Sequence, residues 1–224
     1  MQKILIYGDS LSTGTHGQGG YLAALQSAFG APRLVNCAVG SSGCAAGTPN
    51  SMAEVLRQDA PEAYGADLVL IWHGSNDWYW GTPLGRPGVA DPATFYGAVG
   101  SAVDTVRLRN PGALVVWATP IYRFEQPCGG TQPGCADFTQ NRAGQTLPDY
   151  TAALRRAADC WHFPLIEMGR LCGICAQNEG ALLEDHVHPN AAGYRRIERV
   201  LCPALRYYHA LHTGEETCHV DTGR

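Results

Sequence analysis

No stretch of this sequence approaches the roughly 18 consecutive apolar residues that a membrane-spanning helix requires. Charge is also scarce: 16% of the 224 residues are Asp, Glu, Lys or Arg, with 16 basic side chains against 20 acidic ones and a formal net charge of -4. Without a basic surplus there is no electrostatic case for a nucleic-acid partner or for polybasic attachment to a membrane surface. Convincing internal repeats and Gly/Ser-rich or Pro-rich linkers are missing too, so neither a solenoid nor a chain of tethered modules is expected. The apolar run that begins the chain is too short for a secretory leader and is cut off by Asp9, which makes a cytoplasmic location the expectation. Cysteines are present but odd in number, nine in all, which argues against a disulfide scaffold. They read as small buried hydrophobes or free thiols. For Cys128, Cys135, Cys172 and Cys175 the alternatives are one or two disulfides or a structural zinc site.

What the chain does have is a 45% hydrophobic content, 27 glycines and 14 prolines, the composition of a loop-rich globular domain. A chain this long buries roughly 70% of the surface it would expose unfolded, enough to hold a core without metal or disulfide. One domain over residues 1–212 is expected, followed by a polar tail over 213–224. Short apolar runs at 3–7, 34–39, 67–72, 113–118 and 163–168 read as strands. The third is almost wholly apolar, as a strand covered on both faces should be. Helices are predicted between them: 20–29; 50–60 with Asn50 as cap; one starting at Asp91-Pro92; one over 148–161; and one capped by Asn190 that Pro203 interrupts or kinks near 201. Residues 119–147 hold three prolines, four glycines and two cysteines, and read as a lid-like excursion.

Strands alternating with helices imply an open, mostly parallel sheet with helices on both faces, which binds ligands beyond the carboxyl ends of its strands. Three polar clusters follow the first three strands: Asp9-Ser10, Gly40-Ser41-Ser42 and Gly74-Ser75-Asn76-Asp77. They should share one rim. A serine hydroxyl is a poor nucleophile until a base takes its proton. Ser10, on a strand-to-helix turn, is the candidate nucleophile and His188 the candidate base. Asp185, three residues earlier, can reach the other ring nitrogen and hold the tautomer. Donors for a developing oxyanion are the backbone N–H groups of Ser10 and Gly40 and the side-chain amide of Asn76. Asp9 and the aromatic run Trp78-Tyr79-Trp80 are read as substrate contacts, the aromatics as a stacking wall suited to the apolar face of a sugar or an aryl group.

Taken together, these blocks resemble the SGNH subgroup of the GDSL esterases and lipases. Gly8-Asp9-Ser10-Leu11 with Ser12 is similar to the nucleophile block, Gly40 to the oxyanion glycine, Gly74-Ser75-Asn76-Asp77 to the block carrying the oxyanion asparagine, and Asp185-His186-Val187-His188-Pro189 to the Asp-x-x-His block. The resemblance spans residues 8–189 in the family's order. It implies a three-layer α/β/α sandwich, flavodoxin-like, around a central parallel five-stranded sheet. It also implies serine ester hydrolysis through an acyl-Ser10 intermediate without metal or organic cofactor, and it favours His188 over His186 as the base. The departures from the family lie around this core, at His73, the 119–147 excursion and Cys172-Gly173-Ile174-Cys175. A small acyl group, acetyl first, on a carbohydrate or another short-chain ester is the expected substrate. A thioesterase or acyltransferase would use the same residues, and a carbohydrate-binding protein without activity could sit on the same fold. Self-association is left open.

Overall fold

The structure is a computed structural model and describes residues 1–58 and 60–215. In chain order the elements are β1 (Lys3–Gly8), α1 (Leu22–Ala28), β2 (Arg33–Asn36), α2 (Met52–Gln58), β3 (Leu68–Trp72), α3 (Ser75–Trp80), α4 (Phe95–Arg109), β4 (Leu114–Ala118), β5 (Phe124–Glu125), β6 (Gly134–Cys135), α5 (Leu147–Trp161), β7 (Leu165–Ile166), α6 (Met168–Leu171), α7 (Glu179–Leu182) and α8 (Ala191–Thr213). Five strands form one parallel sheet in the order β2-β1-β3-β4-β7. β5 and β6 form a short antiparallel pair inside the long excursion.

The strand periodicity of two sorts the core into halves. Leu5, Tyr7, Val69, Ile71, Val115 and Trp117 face one side, where α2, α4 and α5 cover them. Ile4, Ile6, Leu68, Leu70, Trp72 and Val116 face the other, against α1 and α8. Both faces are therefore dry, and β3 and β4 are buried at every position. This is the α/β/α sandwich that the sequence suggests, and its five strands fall in the five apolar runs. The chain leaves β1 for β2 on one side and returns to β3 on the other. That reversal opens a crevice beyond the carboxyl end of β1, the place where such sheets bind ligands.

Several boundaries differ from expectation, each for a local reason. Asn50 does not cap α2. It takes a left-handed φ of 48°, and Ser51 caps instead, its hydroxyl accepting from the Glu54 N–H while Glu54 accepts from the Ser51 N–H. α4 begins not at Asp91-Pro92 but after Thr94, whose hydroxyl accepts from the Gly97 N–H. Asp91 builds the preceding turn by accepting from the Ala93 N–H. α8 is not interrupted at Pro203 and continues to Thr213. An exposed proline forfeits one backbone hydrogen bond there, and the buried Ile197, Leu201 and Leu205 on the opposite face hold the helix together. Thr213 thus belongs to a helix, Gly214 closes it at a left-handed φ of 73°, and residues 216–224 of the anticipated tail lie outside the described residues.

Candidate active site

The nucleophile turn is shaped by its backbone. After β1, the Asp9 carboxylate accepts from the Leu11 N–H at 3.0 Å and the Asp9 carbonyl from the Ser12 N–H at 2.9 Å. Gly8 must be glycine: a Cβ there would stand 2.6 Å from the Ser12 hydroxyl oxygen. The far side of the turn is pinned by Tyr194, whose hydroxyl donates to the Leu11 carbonyl, and by Tyr21, which donates to the Ser12 hydroxyl. Ser10 is left half-buried at the crevice.

The segment between α7 and α8 brings the histidine. One Asp185 oxygen accepts from the N–H groups of Val187 and His188, at 3.2 and 2.8 Å, folding three residues into a tight turn. The other lies 2.7 Å from His188 Nδ1. His188 Nε2 lies 2.8 Å from Ser10 Oγ. A carboxylate only accepts, so the Nδ1 proton faces Asp185 and Nε2 is free to accept from Ser10. Burial works against charge on Asp185, but the backbone and ring hydrogen bonds from His188 outweigh it and hold this carboxyl below the usual range. His186, by contrast, turns away at a left-handed φ of 68°, with Nδ1 3.5 Å from Glu179.

Asn76 sits in the first turn of α3, buried against the cleft. Its Nδ2 donates to the Ser42 carbonyl at 3.0 Å and makes a longer contact of 3.4 Å to Asp9 Oδ2. Asp77 is fully buried and accepts from the N–H groups of Cys44 and Ala45, tying α3 to the loop after β2. Burial raises both Asp9 and Asp77 to about 6. It lowers the neighbouring His73, also buried, to about 4. Ser10, Ser41, Asn76, Tyr79, Trp80, Arg123, Glu125, Asp185, Val187 and His188 enclose a cleft of about 270 Å³.

In the loop after β2, Ser41 lines the cleft at a left-handed φ of 62°, directly after the exposed Gly40. Two sequence-based assignments need correction. Asp9 is not a substrate contact. It lies buried beneath the cleft with its carboxylate spent on Leu11 and Asn76. Trp78 is not part of a wall either. The aromatic run is helical, so successive side chains diverge by roughly 100°. Trp78 points into the core with its indole N–H on the Thr139 carbonyl, and only Tyr79 and Trp80 line the cleft. Cys128, Cys135, Cys172 and Cys175 are free thiols, and no group of three or more potential metal ligands gathers among the described residues.

Two participants escaped the sequence reading. Arg123, from the excursion, is 4% exposed and donates to the Ser75 carbonyl, the Ser75 hydroxyl and Asn76 Oδ1 at 3.1–3.2 Å. It pairs with Glu125 and lies over the rings of Trp78 and Tyr79. By occupying Oδ1 it settles which end of the Asn76 amide is the donor. The second is His16, whose ring lies against that of His188. An arginine just before a two-residue strand and a histidine in a glycine-rich loop carry no local signature. Only long-range contacts give them a role.

A hydroxyl, an imidazole and a carboxylate in hydrogen-bonded series, at the carboxyl edge of a parallel sheet, form the constellation of serine hydrolases. Comparison with known proteins then narrows the class. The chain belongs to the GDSL-like lipase/acylhydrolase family, whose profile matches residues 6–196, and membership places it among the ester hydrolases. One solved structure is 26% identical, with a TM-score of 0.79 over 92% of this chain and 96% of its own. A protein from Lactobacillus plantarum is 23% identical over 92% and 97% of the two chains, with a TM-score of 0.78. An acetyl xylan esterase is 19% identical over 91% and 99%, with a TM-score of 0.64, a likeness of fold. No curated protein matches the sequence significantly. The cytoplasmic expectation is withdrawn. It rested on where the chain begins, which says nothing about a removed leader. Among the described residues no helix is long and apolar enough to cross a membrane.

Proposed function

We propose that the chain removes a small acyl group, acetyl first, from a carbohydrate or other short-chain ester through an acyl-Ser10 intermediate. The observation that carries this is the continuous series from Ser10 Oγ to His188 Nε2 at 2.8 Å and from His188 Nδ1 to Asp185 at 2.7 Å, opening on a small cleft. Ser10 Oγ attacks the ester carbonyl as His188 takes its proton. Asp185 stays ionised and steadies the imidazolium. The oxyanion is met by the Ser10 N–H, by a backbone N–H of the Gly40–Ser41 turn and by the Asn76 amide, which exchanges its Ser42 or Asp9 partner for the new charge. His188 then protonates the leaving alcohol, and a water activated by the same ring hydrolyses the acyl-serine.

The size of the cleft argues for a short acyl chain. About 270 Å³ lies at or below the lower end of the range for small-molecule pockets, roughly 300–1,000 Å³. Trp80 and Tyr79 at the rim offer ring faces and edges to a sugar, and the acetyl xylan esterase among the structural relatives points the same way. The test is an ester panel of acetylated sugars, aryl acetates, longer acyl chains and acyl thioesters, run beside Ser10→Ala. Turnover should be highest on acetates, decline with acyl length and vanish in the variant. Preference for long chains or thioesters, or turnover that survives Ser10→Ala, would refute the proposal.

A further inference from the structure

We propose that His16 is a positioning residue for this chemistry, an imidazole held flat against His188 that fixes the plane in which the His188 ring reaches both Ser10 and Asp185. The inference rests on the hydrolase reading above. The two ring centroids are 3.9 Å apart and the planes differ by 6°, a face-to-face stack. His16 is held from behind much as His188 is. Its Nδ1 lies 2.9 Å from Glu184 Oε2, and the other Glu184 oxygen accepts from the Gly17 N–H at 3.0 Å. These two hydrogen bonds, the His16 side chain foremost, keep the Glu184 carboxyl below its usual range and therefore ionised. The Glu184 N–H in turn donates to the His188 carbonyl at 2.7 Å. Adjacent carboxylates, Glu184 and Asp185, thus each orient one ring of the stacked pair.

The physical need is clear from the geometry of His188. Its two hydrogen bonds grip opposite edges of the ring, and hydrogen bonds tolerate tens of degrees of misalignment before they weaken steeply. Edge contacts alone leave the ring free to tilt about the line joining them. A face contact removes that freedom. Glu184 accepts only, so the Nδ1 proton of His16 faces it and the imidazole is held from that edge. A His188 ring free to tilt fails at proton transfer rather than at substrate binding, so the benefit belongs in kcat rather than in KM.

The experiment compares His16→Ala with His16→Phe in the full chain. Steady-state hydrolysis of p-nitrophenyl acetate is measured alongside melting temperature, with Ser10→Ala as the reference. His16→Ala should lower kcat about tenfold with KM unchanged within about twofold, the loss expected when a base is less well oriented. His16→Phe keeps a ring on the face of His188 and should recover kcat to within about threefold of the native protein, although it loses the bond to Glu184. A native kcat in His16→Ala, or a His16→Phe protein as slow as His16→Ala, overturns the inference while leaving the hydrolase reading intact. Turnover that persists in Ser10→Ala overturns the hydrolase reading and this inference with it.

Discussion

In the proposed mechanism Ser10, His188 and Asp185 act as a unit, so removing Ser10 or His188 should cost nearly as much as removing all three. Ser10→Ala and His188→Ala are each expected to lower kcat by about a thousandfold or more with melting temperature little changed, since both side chains are only half-buried. Asn76→Ala removes an oxyanion donor and should cost about 10²–10³ in kcat. Arg123→Lys tests the orientation of that donor. It keeps the charge but loses the planar fork that reaches Ser75 and Asn76 together, so kcat should fall about tenfold, the value of one charge-assisted hydrogen bond, with less effect on KM. Equal kinetics in Arg123→Lys and the native protein would show that Asn76 needs no such support. At this scale, Ser10, Asn76, Asp185 and His188 were legible because each sits in a short motif whose local turn makes chemical sense. His16 and Arg123 were not, because their partners lie far along the chain, Glu184 168 residues away and Asn76 47.

Elements carry these side chains to the cleft, and their ends matter most. α8 starts two residues after Pro189, and its first turn is held by the Asn190 side chain, which accepts from the N–H groups of Ala192 and Gly193. Asn190→Ala should cost about 1 kcal/mol in urea unfolding. Because Asn190 stands two residues from His188, a fall in kcat should accompany it. Pro203 is the opposite case, an exposed proline inside the same helix. A helix-interior proline costs about 3 kcal/mol, and its stiffening of the unfolded chain returns up to about 1. Pro203→Ala is therefore expected to stabilise the protein by about 2 kcal/mol, read as a higher urea midpoint; an unchanged or lower midpoint contradicts this. Strands were the more legible elements, because dry strands in a doubly covered sheet must be apolar almost throughout. Helix starts were less so: Asp91-Pro92 and Thr94 both suit a cap, and only the packing of Phe95, Val99 and Val103 into the core selects Thr94.

For the molecule as a whole, three buried titratable groups near the cleft set a pH signature. Asp9 and Asp77 bind a proton at about 6 when folded against an ordinary value of 3.8. Between those values the folded state holds more protons, so stability falls as pH rises through the window. His73 binds at about 4 when folded against 6.5, so there the unfolded chain holds more protons and stability falls as pH drops from 6.5 to 4. Two carboxyls outweigh one imidazole of comparable shift. Melting temperature should therefore be higher at pH 5 than at pH 7. It should decline again in more acid solution, where Asp67, Glu167, Glu184 and Asp185, all held below their usual range, become protonated and their contribution is lost. A steady fall in melting temperature from pH 7 to pH 5 would contradict this.

Alternating apolar runs and turn residues by themselves determined a parallel sheet between helical layers, and the motifs after its strands determined a serine, an imidazole, a carboxylate and an amide on one rim. These are short-range consequences of side-chain periodicity and turn chemistry, readable within windows of a few residues. Tertiary structure alone decided that Trp78 is core and Tyr79 and Trp80 are cleft, that Asp9 lies buried beneath it, and that Arg123 and His16 brace the reacting side chains. Those outcomes depend on which distant segment packs against which, and the free energy of a contact exists only once both partners are in place.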